Sequence, residues 1–177
     1  MSSSTLPLPV RFALPDEAWT PVDPESLGVR NAAFLAVRDA ATGEYHPTIT
    51  VSGGWRGDAA SLEQIADESI EKLRVEGAEE VELLQRRSLG TEHAPAVTQS
   101  VGAVATVEGR RQDLRQAQVV QGLVDVEDPA RRVVMIYTLT CTYRQWEQVV
   151  PEFQAFMATV EVVPQQPGPP AEGQSGS

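Results

Sequence analysis

Residues 133–143 read Val-Val-Met-Ile-Tyr-Thr-Leu-Thr-Cys-Thr-Tyr. In an extended chain, side chains alternate between two faces. Val133, Met135, Tyr137, Leu139, Cys141 and Tyr143 then share one face, and Val134, Ile136, Thr138, Thr140 and Thr142 share the other. A strand that is apolar on both faces belongs in the middle of a sheet, with its threonine side the less buried. Immediately downstream, Trp146, Val149, Val150, Phe153, Phe156, Met157 and Val160 recur at helical spacing. The pattern predicts one helix over 145–160, starting near Tyr143 or Gln145 with a disturbed first turn, with Pro151 either a first-turn proline behind a separate turn or a mid-helix kink.

Working upstream, Leu114–Val126, Ala96–Val107 and Glu80–Leu89 read as further strands, separated by turns at Glu108-Gly109 and Asp128-Pro129. The 114–126 run is long enough to want a bulge, expected at Gly122. Before them lies a helix with Leu62, Ile65, Ala66, Ile70 and Leu73 on one stripe. Ser61 with Gln64 forms a capping box at its start, and Gly77 stands where a terminating glycine belongs. The first third carries short strands. Thr48–Val51 alternates and is expected to break at Gly53-Gly54, and Ala32–Arg38 is a run of small and apolar residues. Val10–Leu14 is expected to pair with Ala18-Trp19-Thr20 as a hairpin. The order is four strands, helix, four strands, helix. That order predicts an α+β fold with a mostly antiparallel β-sheet of about 6–8 strands flanked by two main helices, an α/β/α sandwich.

The chain has 177 residues, which suits one domain. We place that domain at 10–163, between a flexible N-terminus (1–9) and a Pro- and Gly-rich tail (164–177) with no large apolar side chain. Apolar residues make up 41% and charged residues 22%, a globular balance. The net charge of −11 disfavours nucleic acid and anionic membrane, which need a positive footprint. One cysteine and two histidines leave no disulfide framework and little room for a metal site. No signal peptide or lipobox reads in the first residues, and no apolar run nears a membrane span of roughly 18 residues. The expectation is a cytoplasmic protein, a monomer or weak homodimer, without membrane insertion. Thirteen arginines stand against one lysine, Lys72. That bias fits a GC-rich bacterial genome of the actinobacterial kind.

Two stretches carry a resemblance. Val10-Arg-Phe-Ala-Leu-Pro-Asp-Glu-Ala-Trp-Thr-Pro-Val is an apolar strand ended by proline with an aromatic just beyond. Val134-Met-Ile-Tyr-Thr-Leu-Thr-Cys-Thr-Tyr leads to Val150-Pro-Glu-Phe-Gln-Ala-Phe-Met-Ala-Thr-Val, a strand running into a last helix with paired aromatics. Together they resemble the PsbP-like superfamily over roughly 10–163, the LpqN-type pattern most of all, and the DcrB and Eag proteins. These are core patterns, so they speak for fold. The resemblance implies a scaffold that binds proteins, as chaperone or adaptor, rather than one that catalyses.

The candidate chemistry is sparse. His46 and His93 sit in Pro-flanked turns, each beside a glutamate but without a third ligand. Cys141 lies mid-strand, where a thiol acts as a small hydrophobe. The acidic runs 67–71 and 79–82 read as solvated faces. Gly53-Gly54-Trp55-Arg56-Gly57-Asp58 could present backbone N–H groups to an anion, or be a plain connection with Trp55 folded inward; an exposed Trp55 beside Arg56 would be a hot-spot pair. Arg110, Arg111 and Arg115 sit at one hairpin end, and Arg131 and Arg132 at another. If those ends adjoin, they form a clamp for a carboxylate-rich partner or phosphate; otherwise they pair with Glu108, Asp113, Glu127 and Asp128. Trp55, Arg56, Arg110, Arg111, Arg115, Arg131 and Arg132 are therefore the partner-binding candidates, with no cofactor and no catalytic residue assigned. The expected function is a non-catalytic protein-binding adaptor or chaperone-like domain, linked to secretion or envelope machinery. The alternative is a small-molecule or lipid-binding domain with a pocket between the sheet and the C-terminal helix.

Overall fold

The computed structural model describes residues 9–29, 32–125, 127–128 and 130–163. Residues 1–8 and the tail 164–177 lie outside that set, as does Pro129 of the expected Asp128-Pro129 turn. In chain order the elements are β1 (Val10–Arg11), β2 (Trp19–Val22), β3 (Phe34–Arg38), β4 (Thr48–Trp55), α1 (Leu62–Val75), β5 (Glu79–Gly90), β6 (Pro95–Val107), β7 (Arg110–Val124), β8 (Arg132–Thr142), α2 (Trp146–Thr159) and β9 (Glu161–Val162). Seven strands form one antiparallel sheet in the order β2-β3-β4-β8-β7-β6-β5. β1 and β9 pair separately.

β8 is the middle strand, as its two apolar faces require. Its odd-numbered residues Val133, Met135, Tyr137, Leu139 and Cys141 join Val149, Phe153 and Phe156 of α2 in the larger core. Its Val134 and Ile136 join Leu62, Ile65 and Ala66 of α1 in the smaller one. The helices therefore cover opposite faces. α1 starts on Ser61, whose hydroxyl accepts from the Gln64 N–H while the Gln64 side chain accepts from the Ser61 N–H. It ends ahead of Gly77 at φ 105. Glu108 and Gly109 both take left-handed φ, 51 and 79, so the β6–β7 connection is the tight turn expected there.

Several expectations are corrected. The opening segment does not form a hairpin with Ala18-Trp19-Thr20. β1 pairs with β9, and β2 pairs with β3. The reason is Phe12, whose ring lies 4.8 Å from Phe34 and 5.0 Å from Phe156, pinning the segment across the core. Gly53-Gly54 does not break its strand, because β4 runs on to Trp55 against β8. A Cβ at Gly53 would collide with the Met135 side chain, so glycine there is a packing demand. The register across Gly122 is uninterrupted, and that glycine instead gives room to Leu62 of α1. The irregularities fall in β5, between Glu79 and Glu82 and between Leu83 and Gln85. Pro151 lies inside α2, on its exposed side, rather than in its first turn. A short 3₁₀ turn, Tyr143–Gln145, precedes the helix and is capped by Thr142.

Both sheet edges are blunted. β2 is short and carries Pro21, and β5 carries two bulges with Glu79, Glu80, Glu82, Arg86 and Arg87. These are the usual defences against edge-to-edge pairing.

Candidate functional site

The seven partner-binding candidates divide into two groups. Arg132 sits opposite Val124 at one end of β8, and Arg115 sits opposite Cys141 near the other. At about 3.3 Å per residue the nine residue steps separating them span roughly 30 Å. The two hairpin ends do not adjoin, so the five-arginine clamp does not form.

At the first end, Arg132 donates to the carbonyls of Arg56, Ala60 and Asp58. Arg56 makes paired bonds to Asp58 and Glu68, 2.7–3.1 Å long. These two arginines lock the β4–α1 connection. Trp55 does not fold inward: it is 57% exposed, with Arg131 stacked 5.2 Å from its ring centre. The exposed tryptophan was foreseen as one option, but its cation is Arg131 rather than Arg56.

At the second end, Arg111 pairs with Glu79 and Glu80, and Arg115 pairs with Asp113 while lying 4.8 Å over the Tyr143 ring. Of the expected partners, only Asp113 is used here.

The histidines stand apart from any cluster. His46 is exposed, with Nδ1 3.1 Å from the Arg38 carbonyl, and His93 is exposed in the β5–β6 connection. Among the described residues, no group of three His, Cys, Asp or Glu side chains could hold a metal. Cys141 is fully buried and burial pushes its thiol up to about 12. The native protein is therefore expected to resist iodoacetamide at pH 8, whereas urea-unfolded chain reacts at an ordinary thiol rate. Labelling of the native form at a comparable rate would remove Cys141 from the core.

Two grooves flank the helices. On the α1 side, a groove of about 710 Å³ has a polar floor of Thr50, Ser52, Thr138, Thr140 and Gln116. That floor ends a directional chain of hydrogen bonds. Arg86 donates to Gln99, Gln99 to Gln118, Gln118 to Gln116, and Gln116 to the Thr140 hydroxyl. Gln99 and Gln118 are both 4% exposed, and Gln99 also donates to the Ala66 carbonyl, so the buried amides are satisfied and their orientation is fixed. Sequence periodicity placed these residues on strands but could not show that two adjacent amides meet.

On the α2 side, the helix covers β8 and stops short of β5 and β6. A groove of about 550 Å³ remains, walled by Trp146, Val150, Phe153 and Met157, with Ala117 and Val119 below. Thr98, Ser100 and Arg87 close its far side. Phe153 and Phe156 are core, as their spacing implied, while Trp146 is only half-buried and forms the lip.

This architecture recurs in solved structures. LpqN of Mycobacterium tuberculosis, described as involved in cell envelope biogenesis, matches with a TM-score of 0.57 at 12% identity, over 89% of this chain and 86% of its own. The cyanobacterial PsbP of Synechocystis matches at 0.54 and 10% identity, over 87% and 92%. The chain has a PsbP-like fold. A third match, PA94 of Pseudomonas aeruginosa, is described as a protein of unknown function and putative regulator; it aligns with a TM-score of 0.52 at 19% identity, over 75% of this chain and 83% of its own. No protein-family model matches the chain, and no curated protein matches it.

Proposed function

We propose that this PsbP-like domain is a non-catalytic binding module that holds an apolar or amphipathic segment of a partner protein, as an adaptor or chaperone does. The observation that carries the reading is the groove beside α2. It sets an apolar wall of Trp146, Val150 and Met157 against Thr98, Ser100 and Arg87. An amphipathic helix laid there buries its apolar face on α2 and turns polar groups toward the hydroxyls and the guanidinium. Trp146, held at the lip by its packing, is the natural anchor. A place beside envelope or secretion machinery belongs to the same proposal; LpqN, which shares the fold, is described as involved in envelope biogenesis.

The test is affinity capture from source lysate with wild type and a Val150→Asp/Met157→Asp variant whose circular dichroism melt matches it. Capture of a protein by wild type and its loss in the variant support the groove. Equal capture by both places the site elsewhere. The groove volume also lies in the roughly 300–1,000 Å³ range of small-ligand sites, which favours a lipid or small molecule as the second reading. Native mass spectrometry of the purified protein decides between them. A bound small molecule lost in the variant would replace the partner segment with that ligand.

A further inference from the structure

We propose that the end of the molecule carrying the β6–β7 turn binds an acidic, extended peptide segment of a partner protein, with Arg110 and Arg144 taking its carboxylates. The site is separate from the α2 groove. A cleft of about 580 Å³ opens there between the Gly43–Tyr45 turn, the start of β7 and the 3₁₀ turn ahead of α2. Three arginines line it, Arg110, Arg111 and Arg144, on a chain whose net charge is −11. Arg111 is occupied by Glu79 and Glu80. Arg110 donates to the Gly43 carbonyl at 2.7 Å, which steadies its guanidinium and leaves its remaining donors pointing at no carboxylate among the described residues. Arg144 is exposed and likewise meets no carboxylate among them. Elsewhere on this surface most arginines are matched by an acid, so two unmatched guanidiniums in one cleft mark a place where the acid comes from outside.

The shape of the charge selects the ligand. Arg110 and Arg144 come from different elements, and Glu44 and Asp113 also line the cleft. A compact polyanion such as phosphate would meet those acids, whereas carboxylates spaced along a peptide can reach the two arginines and bypass them. Tyr143 is 60% exposed and held flat by Arg115 stacked on its ring, a fixed aromatic surface for a peptide to lie on. Sequence reading named Arg110, Arg111 and Arg115 but passed over Arg144. That residue stands 34 positions further along the chain than Arg110 and joins it only because β8 returns to the end where β7 began.

The probe is fluorescein-labelled hexaglutamate, read by fluorescence anisotropy at about 50 mM salt, where surface charges act over more than about 10 Å. Wild type is expected to bind it and to lose affinity as salt rises. Arg110→Glu and Arg144→Glu should each weaken binding at least about tenfold, a loss of about 1.4 kcal/mol, and the double variant should abolish it. Arg131→Glu, at the far end of the sheet, and the α2-groove variant should bind as wild type does. Because the substituted arginines are exposed, a matched melting curve confirms that folding is intact. No binding by wild type, or equal binding by the double variant, overturns the proposal. Displacement of the peptide by inorganic tripolyphosphate at lower concentration than by unlabelled peptide overturns it in favour of a phosphate site. None of these results depends on the α2 groove.

Discussion

Phe156→Ala is expected to lower the unfolding free energy by about 3–5 kcal/mol, the range for deleting a buried aromatic ring. Phe156 is fully buried, and its ring meets Phe12 from the opening segment at 5.0 Å and Phe153 from its own helix at 6.1 Å. It is therefore the point where β1, α2 and the sheet are fastened together. The ring's removal leaves a cavity whose walls come from three separate elements, which cannot all close on it. Urea unfolding followed by circular dichroism measures the loss. With a slope of about 2 kcal/mol per molar, the midpoint should fall by roughly 2 M. Leu84→Ala, at a position 45% exposed, is the comparison and should change stability by less than about 0.5 kcal/mol. A loss below about 1 kcal/mol for Phe156→Ala would mean that the opening segment is not packed on the core.

The second large effect centres on Glu152. Its carboxylate accepts from Arg38 at 2.8 and 2.9 Å and from the Trp19 indole N–H at 2.8 Å. The side chains of Arg38 and Glu152 are 18% and 19% exposed. This three-residue cluster ties the β2–β3 edge of the sheet to α2. Glu152→Gln keeps the shape but leaves the Arg38 guanidinium without its counter-charge, and should cost about 2–3 kcal/mol.

The same carboxylate sets a pH dependence. The hydrogen bond from Arg38, with the one from Trp19, holds Glu152 below the usual glutamate range against the opposing effect of burial. The unfolded chain therefore binds a proton at Glu152 at a pH where the folded chain does not. The contribution to stability is complete above the unfolded glutamate value near about 4.3 and fades as pH falls below it through the folded value. Wild type should lose stability over that acid window more steeply than Glu152→Gln, which has no group to titrate there. Parallel slopes for the two proteins below pH 5 would show that Glu152 is not paired in solution.

The order of elements was legible because each long segment announces one period. The 133–143 stretch alternates over its whole length, which made it a strand and, being apolar on both faces, the central one. The 62–73 stripe, with Ser61 and Gln64 ahead of it, made a helix with its start marked. Short segments lacked that redundancy. Val10–Leu14 and Trp19 are each compatible with a local hairpin, and only the cost of leaving Phe12 outside the core explains why they part. Gly53-Gly54 reads as a break because glycine weakens strands, yet here it answers to the bulk of Met135 on the neighbouring strand.

The candidate sites show the same division. Composition and local pattern along the chain established which residues had chemistry to offer: few histidines, a mid-strand cysteine, many arginines and a tryptophan beside a glycine pair. Composition and local periodicity are properties of neighbours along the chain, so they could go that far. Which of those residues meet is settled by the folded molecule. It set Arg131 rather than Arg56 on Trp55, parted Arg110 from Arg132 by the length of a strand, and brought Arg144 to Arg110. It joined Gln99 to Gln118 across two strands and left one side of α2 uncovered. Strand register and the direction in which β8 returns fix all of these pairings, and they arise from packing across the whole sheet.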